Sequence, residues 1–154
     1  MKLAEALILR ADAKKRLVDI QQRLNRSARV QEGDTAPENP QELLEELTRV
    51  VAQMRDLMKQ INQTNARTPF DGGQTLTDAL AERDALSLEH AVLAGLLVEA
   101  TGQNTRHVYT QSNIKYFRAV DVAAVQRRAD DLARQRRDLD TRIQALNWTV
   151  DLIE

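Results

Sequence analysis

The chain contains no cysteine, which removes disulfides, thiolate metal sites and thiol nucleophiles from consideration. Aromatic residues make up only 3% of it, and just 5 glycines and 3 prolines occur. A chain so poor in turn formers and strand formers is suited to long helices packed with Leu, Ile, Val, Ala and Met. No apolar run approaches membrane-spanning length. Neither sign of charge dominates, because 22 basic and 23 acidic residues leave a net charge of −1, and no global field draws the chain to nucleic acid or to an anionic membrane. The N-terminal stretch MKLAEALILRADAKKRL carries charges every few residues and lacks the apolar segment and small-residue cleavage site of a signal peptide. The expectation is a soluble cytoplasmic protein. At 154 residues, 42% hydrophobic and 29% charged, it is long enough to form one globular domain with a substantial core.

Hydrophobic spacing predicts four helices. The first, about 2–27, places Leu3, Ala6, Ala13, Leu17, Ile20 and Leu24 on one face at intervals of three and four. Gly33, Pro37 and Pro40 interrupt the pattern, and Asn39 is a natural cap for the next helix. That second helix, about 40–66, carries a seam of Leu43, Leu47, Val50, Met54, Leu57 and Ile61, widened by Leu44, Val51 and Met58; a stripe that broad suits more than one neighbour. TPFDGG (68–73) is turn chemistry. The third helix, about 76–101, begins after Thr75 and places Leu76, Leu80, Leu86, Leu93 and Leu97 inside, with Gly102 as its stop. The fourth, about 121–150, carries Val122, Val125, Ala129, Leu132, Leu139, Ile143 and Leu146. Helices of this length reach roughly 40 Å. Short linkers make successive helices antiparallel, so the expected fold is an all-α, up-down four-helix bundle in a single domain spanning 1–154. Between the third and fourth helices, residues 103–119 are rich in Val, Tyr, Ile and Phe, which predicts a short β-hairpin or ordered arm.

Three arginines interrupt the inward stripes: Arg10, Arg83 and Arg136. If the helices run alternately up and down, Arg10 comes level with Met58, Met58 with Arg83, and Arg83 with Leu139, between Arg136 and Asp140. The arginines then share one layer, and the same end of the bundle gathers Asn62, Asn65 and Asn147. Burying a guanidinium demands a nearby carboxylate. Asp140 is the best placed, with Asp84 and Asp12 weaker candidates. Three readings of such a layer stand open. One is a structural device fixing register and assembly; another is a pocket for a small anionic ligand; in the third the arginines carry their heads to solvent and form no layer.

Enzymatic signatures find little support. The histidines, His90 and His107, lack metal-binding spacing. No glycine-rich phosphate loop is present, and no serine has a positioned His and Asp. No cofactor or metal is expected. The fourth helix looks basic, but its arginines are spaced against aspartates for i,i+4 pairing, which describes a solvated face and not a phosphate track.

The stretches RVQEGD (29–34), INQTNART (61–68), DGGQTLTDALAERDAL (71–86), IKYFRAVDVAAVQ (114–126) and LDTRIQALNWTVDL (139–152) together resemble the septicolysin-like proteins, a family of small bacterial proteins. That resemblance implies a membrane-active, pore-forming protein and supplies no catalytic or binding residues. The residues themselves point first to a non-enzymatic homo-oligomer, assembled through helix faces and the 103–119 arm. A ligand-binding or enzymatic bundle using the arginine layer is the remaining alternative.

Overall fold

The computed structural model describes residues 1–102 and 115–154. These described residues form four long helices: α1 (Leu3–Ser27), α2 (Pro40–Arg67), α3 (Leu76–Thr101) and α4 (Val122–Thr149). A single 3₁₀ turn, Asp71–Gly73, lies between α2 and α3. Among the described residues there is no strand, only two isolated bridges, Lys2 with Asp151 and Pro69 with Thr75. Most of the expected 103–119 hairpin lies outside the described residues; its last part, 115–119, is neither helix nor strand.

The helix boundaries have local causes. At the start of α1 the Lys2 amide donates to Glu5 Oε2 at 2.7 Å, giving a carboxylate to the positive end of the helix. At α2, Asn39 Oδ1 accepts from the Gln41 amide at 3.0 Å and Pro40 occupies the first helical position, where its missing N–H costs nothing. Gly72 and Gly73 turn the chain between α2 and α3 with φ of 58° and 80°, a region that side chains avoid.

The chain divides into two compact units, one formed by residues 1–77 with 144–154, the other by 78–143. In the first, α1 and α2 pack as an antiparallel hairpin. Ala13, Ile20 and Val50 form its buried heart, and Leu17, Leu24, Leu47 and Met54 pack against them. Arg23 clamps the same hairpin, reaching Glu38 with Nε at 3.0 Å and Nη2 at 2.6 Å, a bidentate geometry that ammonium groups cannot reproduce.

The rest of the first unit is a knot of chain segments around the end of α2. Leu3, Ile61, Thr64 and Leu76 are essentially inaccessible to solvent. The Leu3 amide donates to Val150 O and the Leu152 amide to Met1 O, each at 2.9 Å. Thr64 Oγ1 donates to Gln60 O at 2.8 Å and accepts from the Ile153 amide at 2.9 Å. Lys2 Nζ completes the junction with Asp151 at 2.8 Å and Thr149 O at 3.0 Å. Trp148, the single tryptophan, lies in this unit and is 57% exposed.

The second unit is the remainder of α3 and α4, again antiparallel: Arg83 meets Asp140, and further along α3 Glu89 meets Arg128 farther back on α4. Its buried apolar residues are Ala79, Leu86, Ala129, Leu132 and Ile143.

Two predictions test these interactions. Ile61→Ala should lower the unfolding free energy in urea by about 2–5 kcal/mol; Thr64→Val, which keeps the shape but strands the Ile153 amide, should cost about 1 kcal/mol. The second concerns pH. The hydrogen bond from Lys2, with its charge, holds the Asp151 carboxyl below the usual carboxylate range. Its folded form is thus favoured as the anion, so its contribution is present at neutral pH and lost as the pH falls below about 4. Hydrogen-exchange protection of the Leu3 and Leu152 amides should fall in that window relative to Val50, and Asp151→Asn should remove the dependence.

Candidate functional site

In the second unit a polar cavity of about 340 Å³ is lined by Arg83, Asp84 and Ser87 from α3 and by Arg136, Arg137 and Asp140 from α4. Arg83 and Ser87 fall one turn apart on α3, with Asp84 next to Arg83, and Arg136 and Asp140 fall one turn apart on α4, so each helix presents its polar residues at one level. Arg83 is the hub. Its Nη2 and Nε reach Asp84 Oδ1 at 3.0 and 3.2 Å, and its Nη1 reaches Asp140 Oδ1 at 3.3 Å. Burial opposes the charge on Arg83, but the hydrogen bonds and charges of Asp84 and Asp140 outweigh it and hold the guanidinium above its ordinary range. Ser87 Oγ donates to the Arg83 carbonyl at 3.0 Å. That back-bonding is typical of a helical serine and no part of a nucleophile arrangement.

Arg136 and Arg137 differ from Arg83. Both are exposed, and among the described residues neither side chain forms an ion pair. Three guanidiniums therefore face two carboxylates, leaving the cavity one positive charge in excess. Chemically it can hold a small oxyanion through Arg136 and Arg137, while Arg83 is already engaged. Among the described residues no group of three or more acidic or histidine side chains is placed to hold a metal ion.

The structure brings together Arg83, Arg136, Asp140 and the weaker carboxylate candidate Asp84 of the residues singled out from sequence. Arg10, Asn62, Asn65 and Asn147 belong to the first unit; Arg10 and Asn65 are half-buried, Asn62 is exposed and Asn147 is buried. Ser87 and Arg137 carry no distinguishing mark in the sequence. The only signal for Arg137 is its place beside Arg136 in RQRR (134–137).

A second feature of this unit is apolar. Leu88 and Val92 of α3 are each 71% exposed, and Leu96 continues the line. Leu96 also lines a groove of about 670 Å³ with Tyr116, Phe117 and Val120, and both aromatic rings are almost fully exposed.

With this geometry established, comparison with known proteins places the chain. Residues 10–152 match the model of a family of unknown function, DUF6847; the chain belongs to that family. A solved structure similar to it is that of a functionally unknown conserved protein from Corynebacterium diphtheriae, 41% identical, covering 99% of each chain with a TM-score of 0.91. No curated protein matches. These findings overturn the resemblance to septicolysin-like proteins: the family model and the similar structure both carry unknown function, and neither points to a cytolysin. The resemblance rested on the order of short stretches with no diagnostic motif among them. Among the described residues no helix is long and apolar enough to cross a membrane.

Arg83 is 29% exposed and Asp140 44%, so water screens their pair. Arg83→Leu should change stability by no more than about 1 kcal/mol, whereas Leu86→Ala, nearby on α3, should cost about 2–4 kcal/mol. Chemical denaturation decides; an Arg83→Leu loss as large as that of Leu86→Ala would mean the pair is shielded and structural.

Proposed function

We propose that the protein is a non-enzymatic assembly module, a helical protein that works as a homo-oligomer through its exposed apolar helix faces. One observation carries the reading: α3 is apolar around most of its circumference, yet much of that surface is uncovered. Between Ala85 and Val98 it has a single formal charge, Glu89, and Leu88 and Val92 stand in solvent. A helix that is hydrophobic on all sides is normally enclosed, and a contiguous exposed apolar patch marks an interaction surface. Tyr116 and Phe117 extend the patch, and aromatic residues of this kind are enriched in interface cores.

The polar chemistry of the second unit supports the same reading. Arg83 is neutralised by Asp84 and Asp140, Glu89 is engaged by Arg128, and Ser87 is tied to the backbone.

Light scattering across a range of concentrations tests this. The expected outcome is a multimer that dissociates on Leu88→Glu with Val92→Glu, the double variant keeping its helical circular dichroism. A monomer at every concentration would overturn the proposal.

A second reading has its own observation, the unpaired Arg136 and Arg137 at the polar cavity. On that reading the protein binds a small oxyanion there. Inorganic phosphate should raise the melting temperature of the native chain, and Arg136→Ala with Arg137→Ala should abolish the shift. An equal shift in both proteins would remove the cavity as the site.

A further inference from the structure

We infer that α3 pairs antiparallel with α3 of a second copy of this chain, about a two-fold axis level with His90. This rests on the homo-oligomer reading above and adds the surface, the direction and the register. The exposed residues of α3 include Ala81, Ala85, Leu88, Val92, Gly95 and Glu99, which are spaced four, three, four, three and four apart. That is the heptad spacing of a seam that meets another helix by knobs-into-holes packing. The seam is distinct from the side of α3 that buries Ala79 and Leu86.

Gly95 supports a close helix on this side. A glycine in mid-helix costs roughly 0.5–1 kcal/mol relative to alanine. Among the described residues nothing requires it, because a Cβ built there meets no atom within 4 Å. The absent side chain leaves room on this side for the close approach of a second helix.

Size and charge select a second copy running in the opposite direction. About a centre at residue 90, Leu88 comes level with Val92 of the other copy and Ala85 with Gly95, so large residues meet at the middle and small ones on either side. The acids of α3 are Asp78, Glu82 and Asp84 near its start, Glu89 near the centre and Glu99 near its end. Glu89 is paired with Arg128 of α4, so its near-level approach to the other copy's Glu89 is neutralised within each chain. Parallel pairing would set each against its own counterpart. Antiparallel pairing moves the two Glu82 side chains roughly 24 Å apart along the axis, about three Debye lengths at physiological salt. It leaves one like-charge approach at each end, where Glu99 comes level with Ala81 beside Glu82. A net charge of −1 raises no long-range barrier between copies. Tyr116 and Phe117 each offer ~150–250 Å² of burial. With Leu88, Val92 and Leu96 they bring the patch toward the ~800 Å² per partner of a specific interface.

The absence of cysteine makes the test clean, since introduced thiols are the only ones present. Ala85→Cys and Gly95→Cys are prepared separately and oxidised alone and as a mixture. In antiparallel pairing the two Ala85 positions lie roughly 15 Å apart along the axis, beyond the ~7 Å Cα separation a disulfide spans. The mixture should therefore cross-link at least ten times faster than either variant alone. If Gly95→Cys alone reduces the multimer seen by light scattering, the pair Leu88→Cys and Val92→Cys replaces it, with the mixture again expected to be faster than either. Ala85→Cys linking to itself as fast as the mixture would overturn the direction. A wild-type multimer with no cross-linking in any mixture would overturn the surface while leaving the homo-oligomer reading intact. A wild-type monomer would remove both. A monomer that sediments with phosphatidylcholine–phosphatidylglycerol vesicles through Leu88 and Val92 would make a lipid surface the occupant and end the proposal.

Discussion

A helix with apolar residues on all sides is not satisfied by one neighbour. α4 covers the side of α3 that holds Ala79 and Leu86 and holds it through Arg83 with Asp140 and Glu89 with Arg128. On the opposite side Leu88 and Val92 are exposed, with no cover among the described residues. Each buried CH₂ is worth ≈0.8 kcal/mol, so several large side chains left in water are a considerable free energy not yet realised. The second unit buries few large side chains of its own, and helices in proteins draw most of their stability from tertiary packing. On the assembly reading proposed above, covering α3 would stabilise this unit as well as join it to a partner.

The first unit meets the same problem differently. Its hairpin closes around Ala13, Ile20 and Val50, and the far end of α2 is sealed by backbone hydrogen bonds from segments distant in sequence. Thr64 stands at the centre, inaccessible to solvent, donating to Gln60 and accepting from Ile153. A hydroxyl fits there because it satisfies an orphaned amide and a carbonyl at once. An aliphatic residue of equal volume would do neither.

The four helices were legible because Leu, Ile and Val recur at helical spacing, and their breaks because Asn39-Pro40 and Gly72-Gly73 carry capping and turn chemistry. Leu44, Val51 and Met58 widened the α2 stripe in sequence and are partly exposed in the structure; periodicity marks a face and does not say whether anything covers it. The polar residues were harder to place. Spacing put Arg136 among leucines, yet its side chain is exposed, since a long charged chain at the edge of a stripe can carry its head to water. Asp140 was recognised as a partner for a guanidinium, and the one it meets is Arg83 on the facing helix. The Lys2–Asp151 junction uses backbone groups and an ion pair between residues at opposite ends of the sequence, so no local pattern could announce it.

Trp148 has a practical consequence. It is the sole indole, it sits near the end of α4 within the first unit, and more than half of it is in water. Fluorescence excited selectively at tryptophan therefore samples the first unit and has no reporter among Asp78–Ile143. Far-ultraviolet ellipticity, by contrast, weighs all four helices by length. Melting curves from the two optical signals coincide only if the whole chain unfolds in one cooperative step, so a gap between their midpoints would directly measure how independently α3 and α4 come apart.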